Sequence, residues 1–487
     1  MSRTVLFVAI AAALGLAAVV TTPSTSKQTA VITNATTQEV PALVMSGPPV
    51  SPLAQNLEVP STVYATTEAP VQLTAKLSHP VVSTGVNEVY AEISLTAAQA
   101  EKGPRRPVSL ALVIDRSGSM HGDKLNRAKE AALKLIDQLA PSDRLAIIHY
   151  GGDVVALPSL EATAANKAKM IDFVSRIVDS GDTNIGAGLD QASTELTEKM
   201  KDYSVNRIIL LSDGQPTSGL VNPESLVLAV GELRRHGFTV SALGVGADFN
   251  ETLMSQMANN GGGFYGYIEN SEGLADVFTR ELEQATSTVA RGVWVTLTVP
   301  QGVELMDVFG RKIDPGSRTV QIPLYDLASG QQAKVLARLH VNAPAGEGHI
   351  SVLTAQLSYQ TVSTGANRTS NVDGVATFTA DETKVTPAMD REVAAAGIKA
   401  LGAVTMTKAA VAYQEGRTEE ALGMFDNVRA LFGASADSLG GSTAYALSGV
   451  DEVQNNLQTA HTADQLSHQV KLVQKKGLKD FGNNNTY

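Results

Sequence analysis

The sequence predicts a multidomain α/β plus β protein, in which a doubly wound, mostly parallel sheet is inserted in an antiparallel β-sandwich and a helical region follows. Between residues 107 and 287, apolar strands alternate with amphipathic helices, which is typical of a parallel sheet covered on both faces. Stretches in which every second residue is apolar flank this region on both sides, as in half-buried antiparallel strands. Beyond about residue 388, Ala, Leu and Gln dominate, which favours helices.

Length, charge and cysteine content set the first limits on function. The 487 residues exceed one core of usual size, so we expect roughly two to four folded units. The formal net charge is −11, and the longest basic stretches are pairs. Nucleic-acid surfaces need clustered Lys and Arg, so we expect no nucleic-acid partner. The chain has no cysteine, which excludes disulfides, thiolate metal sites and cysteine nucleophiles.

The N-terminal segment has the charge pattern of a secretory signal. Arg3 precedes an apolar run from Val5 to Val20, which is short for a membrane span of ~20 residues. We therefore predict that residues 1–22 are a signal peptide or, as the alternative, an uncleaved membrane anchor. Residues 23–69 are rich in Thr, Ser and Pro and nearly uncharged, which indicates a flexible linker. We expect an extracytoplasmic protein: periplasmic, on the cell surface or secreted.

Alternating apolar residues predict two halves of one β-sandwich, residues 70–106 and 290–385. Val71 to Ala97 has the pattern of two or more half-buried strands with a turn at Ser83-Thr84-Gly85. Alternation returns at Val293 and recurs, less regularly, at Val320–Leu324, Lys334–Val341, Ile350–Tyr359 and Ala376–Thr379. The few strands of the first half could hardly be stable alone, so the two halves are expected to pack together.

Residues 107–287 are predicted to form the inserted α/β domain. Its first helix shows the expected apolar stripe at Leu125, Ala128, Ala132, Leu135 and Leu139. The predicted strands are Val108–Ile114, Leu145–Tyr150, Arg207–Leu211 and Phe238–Val245, with an edge strand at Val154–Leu157. The predicted further helices are Ala165–Val178, Ile185–Lys201, Pro223–His236, Glu251–Asn259 and Ser271–Thr286. Residues 386–480 form the helical region, with a hairpin of Ala395–Tyr413 and Glu419–Phe432 and a helix at Asp464–Lys476, before a polar tail at 481–487.

Side chains with hard oxygen atoms follow two of these strands. Asp115, Ser117 and Ser119 end the first strand, Asp213 follows the third, and Thr183 lies on a loop between them. The carboxyl ends of parallel strands converge where open α/β proteins bind ligands. Mg²⁺ prefers oxygen ligands and retains waters, so a few protein oxygens suffice. We predict that the three hydroxyls bind the cation, Thr183 directly or through water, and that both carboxylates act partly through water. Turn and capping roles are the alternative for these residue types.

In chain order, Asp115-x-Ser117-x-Ser119, Thr183 and Asp213-Gly214 resemble the metal-ion-dependent adhesion site (MIDAS) of the von Willebrand factor type A (VWA) family, in particular of its bacterial exported members. The resemblance covers about residues 107–286. It implies a Rossmann-like fold, a bound Mg²⁺ and a protein partner that presents an Asp or Glu to the vacant metal position. Asp182 departs from the small residue that many members have there; it is either a solvated acid or a charge that favours Mn²⁺ or Ca²⁺.

We predict that the chain is not an enzyme. It contains no G-x-x-x-x-G-K-[ST] loop, no H-E-x-x-H pair and no G-x-S-x-G elbow. His121 is interpreted as a polar residue of the first helical turn. The favoured function is an adhesion or assembly module that binds a partner's acidic residue through the cation. The alternatives are a structural cell-envelope protein with a merely stabilising metal and a metal-dependent hydrolase built on Asp115 and Asp213.

Overall fold

The computed structural model describes residues 69–99, 105–213, 215–245, 249–268, 271–440 and 443–480. The predicted signal peptide or anchor, nearly all of the predicted linker, Gly214 of the motif and the C-terminal tail lie outside these residues. Within the described ranges, no helix combines the length and hydropathy that a membrane crossing requires.

The elements are numbered in chain order. The strands are β1 (Val71–Leu77), β2 (Val81–Ser83), β3 (Gly85–Ala97), β4 (Ser109–Asp115), β5 (Arg144–Tyr150), β6 (Val154–Glu161), β7 (Asn206–Ser212), β8 (Thr239–Val245), β9 (Gly262–Ile268), β10 (Thr288–Thr298), β11 (Val303–Val308), β12 (Thr319–Pro323), β13 (Leu327–Ala328), β14 (Gln332–Ala343), β15 (Gly348–Thr361) and β16 (Asn367–Thr379). The helices are α1 (Asp123–Gln138), α2 (Ala164–Ser175), α3 (Ile185–Thr197), α4 (Pro223–Arg235), α5 (Glu251–Gly261), α6 (Ser271–Ser287), α7 (Val385–Ala388), α8 (Arg391–Gln414), α9 (Thr418–Ala434), α10 (Ala436–Leu439), α11 (Thr443–Thr459) and α12 (Ala463–Asp480).

The α/β domain has one sheet of order β6-β5-β4-β7-β8-β9, parallel except for the antiparallel edge strand β6. Every residue of β4, β7 and β8 is buried. The reason is that helices cover both faces: α1, α2 and α6 contribute to one apolar core, and α3, α4 and α5 to the other. The predicted doubly wound fold is confirmed.

Side-chain caps fix where several of these helices begin. The side chains of Thr163, Asn184, Asn222 and Asn250 each accept a hydrogen bond from a backbone N–H in the first turn of the helix that follows. The cap at Asn184 matters most for function, because it starts α3 directly after Thr183. The loop that carries Thr183 therefore ends at the capped N-terminus of α3.

Two further sheets pack around one apolar core and combine strands from both sides of the α/β domain. Their orders are β1-β3-β14-β11 and β12-β10-β15-β16-β2, with β13 also paired to β10. The pairing of β3 with β14 joins residues 85–96 to residues 332–343 in antiparallel register. The α/β domain is thus inserted between strands of the same sheets, as the fold class predicted, although β2 pairs with β16 in parallel.

The strands of this region were predicted only in part. Strands β11 and β13 were not predicted, and the last strand was predicted at Ala376–Thr379, whereas β16 begins at Asn367. The cause is visible in β16, whose first residues are mostly exposed and polar on both faces. Their extended conformation comes from pairing with β15, and an apolar alternation cannot reveal it.

The C-terminal helices pack on the sandwich through Tyr90, Phe309 and Leu336. Gly397 of α8 lies against the Tyr90 ring, where an added Cβ would come within 2.1 Å of a ring atom, so only glycine fits. The predicted hairpin is present as α8 and α9. Helix α11 was not predicted, because polar residues and a glycine mask its buried stripe of Val450, Val453 and Leu457.

A buried ion pair joins the sheet of the α/β domain to α6. Arg207 donates from Nη1 to Glu281 Oε2 at 2.7 Å, and the two side chains are 1% and 0% exposed. Burial raises the pKa of Glu281, while Arg207 opposes this shift. Removing either partner would leave an uncompensated charge in an apolar core.

We expect Glu281→Ala to lower the free energy of unfolding by about 3–5 kcal/mol, because Arg207 then remains buried without its partner. Urea denaturation followed by circular dichroism measures the change. Glu283→Ala, an exposed position on the same helix, is the matched control and should be nearly neutral. A loss for Glu281→Ala as small as that of the control would contradict this account.

Candidate metal site

The site lies where two neighbouring strands of the α/β sheet end. Strands β4 and β7 run parallel, with Ile114 opposite Leu211. Asp115 is the last residue of β4, and Asp213 directly follows β7. The two carboxylates are 0% and 1% exposed. The topology therefore brings two acidic side chains together at the carboxyl edge of the sheet.

The Asp115 carboxylate is held by hydrogen bonds on both oxygens. Its Oδ1 accepts from the backbone N–H of Ser117 at 2.8 Å, and its Oδ2 accepts from Ser212 Oγ at 2.6 Å and from Tyr150 OH at 3.3 Å. Burial raises the pKa of Asp115; the hydrogen bonds from Ser212 and Ser117 oppose the shift, and the charge of Asp213 adds to it. The carboxylate thus has a fixed orientation beneath the motif turn.

Ser117, Ser119 and Asp213 form one hydrogen-bonded cluster. The hydroxyls of Ser117 and Ser119 are 3.1 Å apart, and Ser119 Oγ donates to Asp213 Oδ1 at 2.8 Å. The ammonium of Lys124 donates to the other oxygen of Asp213. Four of the five predicted ligands therefore lie together. Lys124 was not among them, although its position in the first turn of α1, off the apolar stripe, was the available signal.

Hydrogen bonds of the backbone hold the loop of Thr183 against the two neighbouring loops. Its N–H donates to Thr217 Oγ1 at 2.8 Å, and its carbonyl accepts from the N–H of Thr217 at 3.0 Å, which ties it to the loop after β7. On the other side, the carbonyl of Gly181 accepts from the N–H of Gly118 at 3.2 Å. Thr183 is 4% exposed. The loop of Thr183 thus contacts both of the loops that carry the other predicted ligands.

Arg116, which lies between Asp115 and Ser117 of the motif, was not predicted to have a role in the site. Its Nε donates to His149 Nδ1 at 2.9 Å, and its guanidinium also pairs with Asp153. Its carbonyl accepts from the N–H of Ser180 at 2.7 Å. Burial, with the Arg116 charge adding to it, lowers the pKa of His149 to about 4, so the ring is neutral and can accept. Arg116 therefore fixes the motif turn against the loop that leads to Thr183.

His121 and Asp182 lie at the periphery of the site. His121 is 80% exposed in its side chain and pairs with Asp179 at 3.1 Å; it precedes α1 and is not part of its first turn. Asp182 is exposed. In the described ranges, no three His, Asp or Glu side chains group as a metal centre, so a cation here would depend on the hydroxyls.

The donor atoms fit a hard divalent cation. Carboxylate and hydroxyl oxygens are the ligands of Mg²⁺, Mn²⁺ and Ca²⁺, whereas sites for softer metals are built from imidazole or thiolate. Asp115 and Asp213 are buried close enough for the charge of Asp213 to raise the pKa of Asp115. Ser119 and Gly118 are exposed, so the cluster opens to solvent on one side. The arrangement can hold a cation and leave one side of it accessible.

Comparison with known sequences identifies the α/β domain. Residues 109–280 match the family model of the von Willebrand factor type A domain. The protein described as "Uncharacterized protein YfbK" of Escherichia coli is 35% identical over 200 residues, which cover 40% of this chain and 34% of that protein. Human inter-alpha-trypsin inhibitor heavy chain H4 is 35% identical over 164 residues, or 32% of this chain and 18% of that protein. The chain thus spans about a third of the first relative and less of the second.

A solved structure extends the likeness beyond the matched residues. The von Willebrand factor type A protein from Catenulispora acidiphila superposes with a TM-score of 0.64 over 84% of this chain and 98% of that chain, at 19% identity. At this identity the likeness shows the fold alone. Domains of this family commonly mediate protein interaction or adhesion, often bind a divalent metal and are typically not enzymes. Residues 109–280 of this chain are a von Willebrand factor type A domain.

Proposed function

We propose that this chain is an extracytoplasmic protein-binding module, for adhesion or assembly, that binds an acidic residue of a partner protein through a divalent cation. The observation that carries the proposal is the hydrogen-bonded cluster of Asp115, Ser117, Ser119 and Asp213 at the carboxyl edge of the sheet. The signal-like N-terminal segment supports the location outside the cytoplasm, with an N-terminal membrane anchor as the alternative to cleavage.

The ligand set follows from the donor atoms. The hydroxyls of Ser117, Ser119 and Thr183 and the carboxylates of Asp115 and Asp213 would hold the cation, the carboxylates partly through water. Mg²⁺ is the proposed ion, and Mn²⁺ and Ca²⁺ accept the same ligands. The bound cation would supply a positive centre for an anionic ligand.

The remaining residues of the site position these ligands. Ser212 and Tyr150 orient Asp115 through its Oδ2. Arg116 holds the motif turn against the loop before Thr183. These contacts fix the orientation of the ligands, so little conformational freedom would be lost when a cation binds, which favours affinity.

The open side of the cluster accounts for the choice of an acidic partner. Ser119 is exposed whereas Asp115 is buried, so a visiting side chain would approach from the side of Ser119. In a partly dehydrated cleft, a carboxylate gains a strong interaction with the cation that a neutral side chain cannot match. Partner binding would therefore require both the metal and the partner's Asp or Glu.

We expect Mg²⁺ to bind wild-type protein saturably in isothermal titration calorimetry and to stabilise it by ~1.4 kcal/mol when free cation is tenfold above its dissociation constant. Asp115→Asn keeps the side-chain shape but removes the charge, so it should abolish the binding heat and the stabilisation. Asp182→Asn, an exposed acid near Thr183, is the matched control. Folded wild-type protein that takes up none of Mg²⁺, Mn²⁺ and Ca²⁺ would exclude the metal site.

We further expect wild-type protein to retain a partner from an extract of cell-envelope proteins only when the metal is present. Chelator should release the partner and added Mg²⁺ should restore it, whereas Asp115→Asn should retain none. Substituting the partner's Asp and Glu residues one by one should then identify a single acid whose loss abolishes capture. The Asp182→Asn control should behave as wild type.

Partner capture and an assay of phosphate-ester hydrolysis together separate the alternatives. Capture that survives both chelator and Asp115→Asn would indicate the structural envelope protein, in which the sandwich and helices carry the interactions. Hydrolysis of a phosphate ester that needs the metal and disappears in Asp115→Asn would instead indicate the hydrolase.

A further inference from the structure

Lys124 places a positive charge directly on one of the candidate metal ligands. Its ammonium donates to Asp213 Oδ2, while Ser119 Oγ donates to the other carboxylate oxygen, Oδ1, at 2.8 Å. The Asp213 side chain is 0% exposed, and that of Lys124 is 27% exposed. A buried carboxylate that would help to hold a metal ion is therefore already paired with a cation of the protein itself.

The two groups that donate to Asp213 have different consequences for a bound metal ion. A hydroxyl that gives its proton to a carboxylate retains lone pairs on its oxygen, so Ser119 can donate to Asp213 and still coordinate. An ammonium has three donors and no acceptor, so Lys124 cannot coordinate and repels another cation. Of these two contacts of Asp213, the one with Lys124 opposes the binding of a metal ion.

The fold holds Lys124 at this position through helix α1. Lys124 is the second residue of α1, and the nearby Leu125 and Ala128 are buried in the core of the α/β domain. A positive charge in the first turn of a helix is unfavourable, because it lies at the positive end of the helix dipole. An exposed lysine normally extends its ammonium into water. The ammonium of Lys124 instead reaches Asp213, so the ion pair offsets an unfavourable position.

The charge of Lys124 changes the electrostatics of the cluster. Asp115 and Asp213 are both buried, and the charge of Asp213 contributes to the raised pKa of Asp115. Lys124 reduces the combined charge of the two carboxylates from two negative charges to one. The guanidinium of Arg116, next to Asp115 in sequence, pairs instead with Asp153, which offsets its charge. Lys124 thus weakens the negative field with which the two carboxylates attract a divalent cation.

We propose that Lys124 sets the cation affinity of the site: by pairing with Asp213 it keeps a divalent ion from binding as tightly as the two carboxylates alone would allow. The inference rests on the proposed function, because it concerns the same site. A weakened site fills and empties with the concentration of divalent cation around the protein. Since partner capture is proposed to need the cation, Lys124 would make capture reversible when that concentration changes.

The test compares Mg²⁺ binding to the full chain by isothermal titration calorimetry in wild type, Lys124→Gln and two controls. Gln can still donate a hydrogen bond to Asp213 but carries no charge, so we expect the dissociation constant to fall about tenfold or more. Lys124→Arg keeps the charge and should bind Mg²⁺ no more tightly than wild type. Lys134→Gln removes an exposed lysine from the same helix and should leave the affinity unchanged.

Stability provides a second measurement that does not depend on binding heat. In urea denaturation with chelator, Lys124→Gln should be less stable than Lys134→Gln, because it leaves the two carboxylates without their cation. Added Mg²⁺ should then stabilise Lys124→Gln more than it stabilises wild type at the same concentration. If Lys124→Gln fails to fold, Lys124→Met, which keeps the length and apolar stem of the side chain, takes its place in both measurements.

The possible outcomes separate the role of Lys124 from the metal site itself. Equal affinities in wild type and Lys124→Gln, or weaker binding by the variant, would overturn the role of Lys124 and leave the metal site intact. Uptake of no divalent cation by either protein, both folded, would exclude the metal site and the inference with it. Uptake by Lys124→Gln alone would support the role of Lys124 but contradict metal-dependent capture by the wild type.

Discussion

The adjacency of β4 and β7 is the constraint on which the candidate metal site depends. The two strands are parallel, buried along their whole length and in register, so their carboxyl ends must coincide. This register brings Ser212 at the end of β7 within 2.6 Å of Asp115 at the end of β4. A shift of one residue would exchange the side chains between two helix-covered faces whose cores are packed around them, so the core fixes the positions of the polar side chains that follow it.

The same constraint creates an electrostatic problem that the surrounding residues offset. Two carboxylates in a buried cleft repel each other and lose solvation. Asp115 is compensated by hydrogen bonds from Ser117, Ser212 and Tyr150, and Asp213 by Ser119 and the ammonium of Lys124. A divalent cation would serve the same purpose more strongly, and it would compete with Lys124 for Asp213.

The sequence predicted those parts of the structure that depend on local patterns. The strands of the α/β sheet are continuous apolar runs, so β4, β5, β7 and β8 begin and end within one residue of the predicted bounds. Asp115, Ser117, Ser119 and Asp213 could be predicted to lie together because they follow two such neighbouring strands. The partners of Arg116 and Lys124 could not be predicted, because both meet groups that are distant in sequence. Strand β16 and helix α11 were misplaced or missed because exposed polar residues dominate them.

Arg234 illustrates the same limit at the other edge of the sheet. Basic residues in the last turn of a helix stabilise it by complementing the helix macrodipole. This accounts for Arg235, which is exposed at the end of α4. Arg234 needs a different explanation, because it is buried against Trp294 and bonded to two sandwich carbonyls. Docking of α4 on the sandwich accounts for its Nη2 but leaves Nε and Nη1 unused. Only the insertion of the α/β domain between sandwich strands brings the end of α4 against the sandwich, so a pattern search along the chain cannot reveal the partners of Arg234.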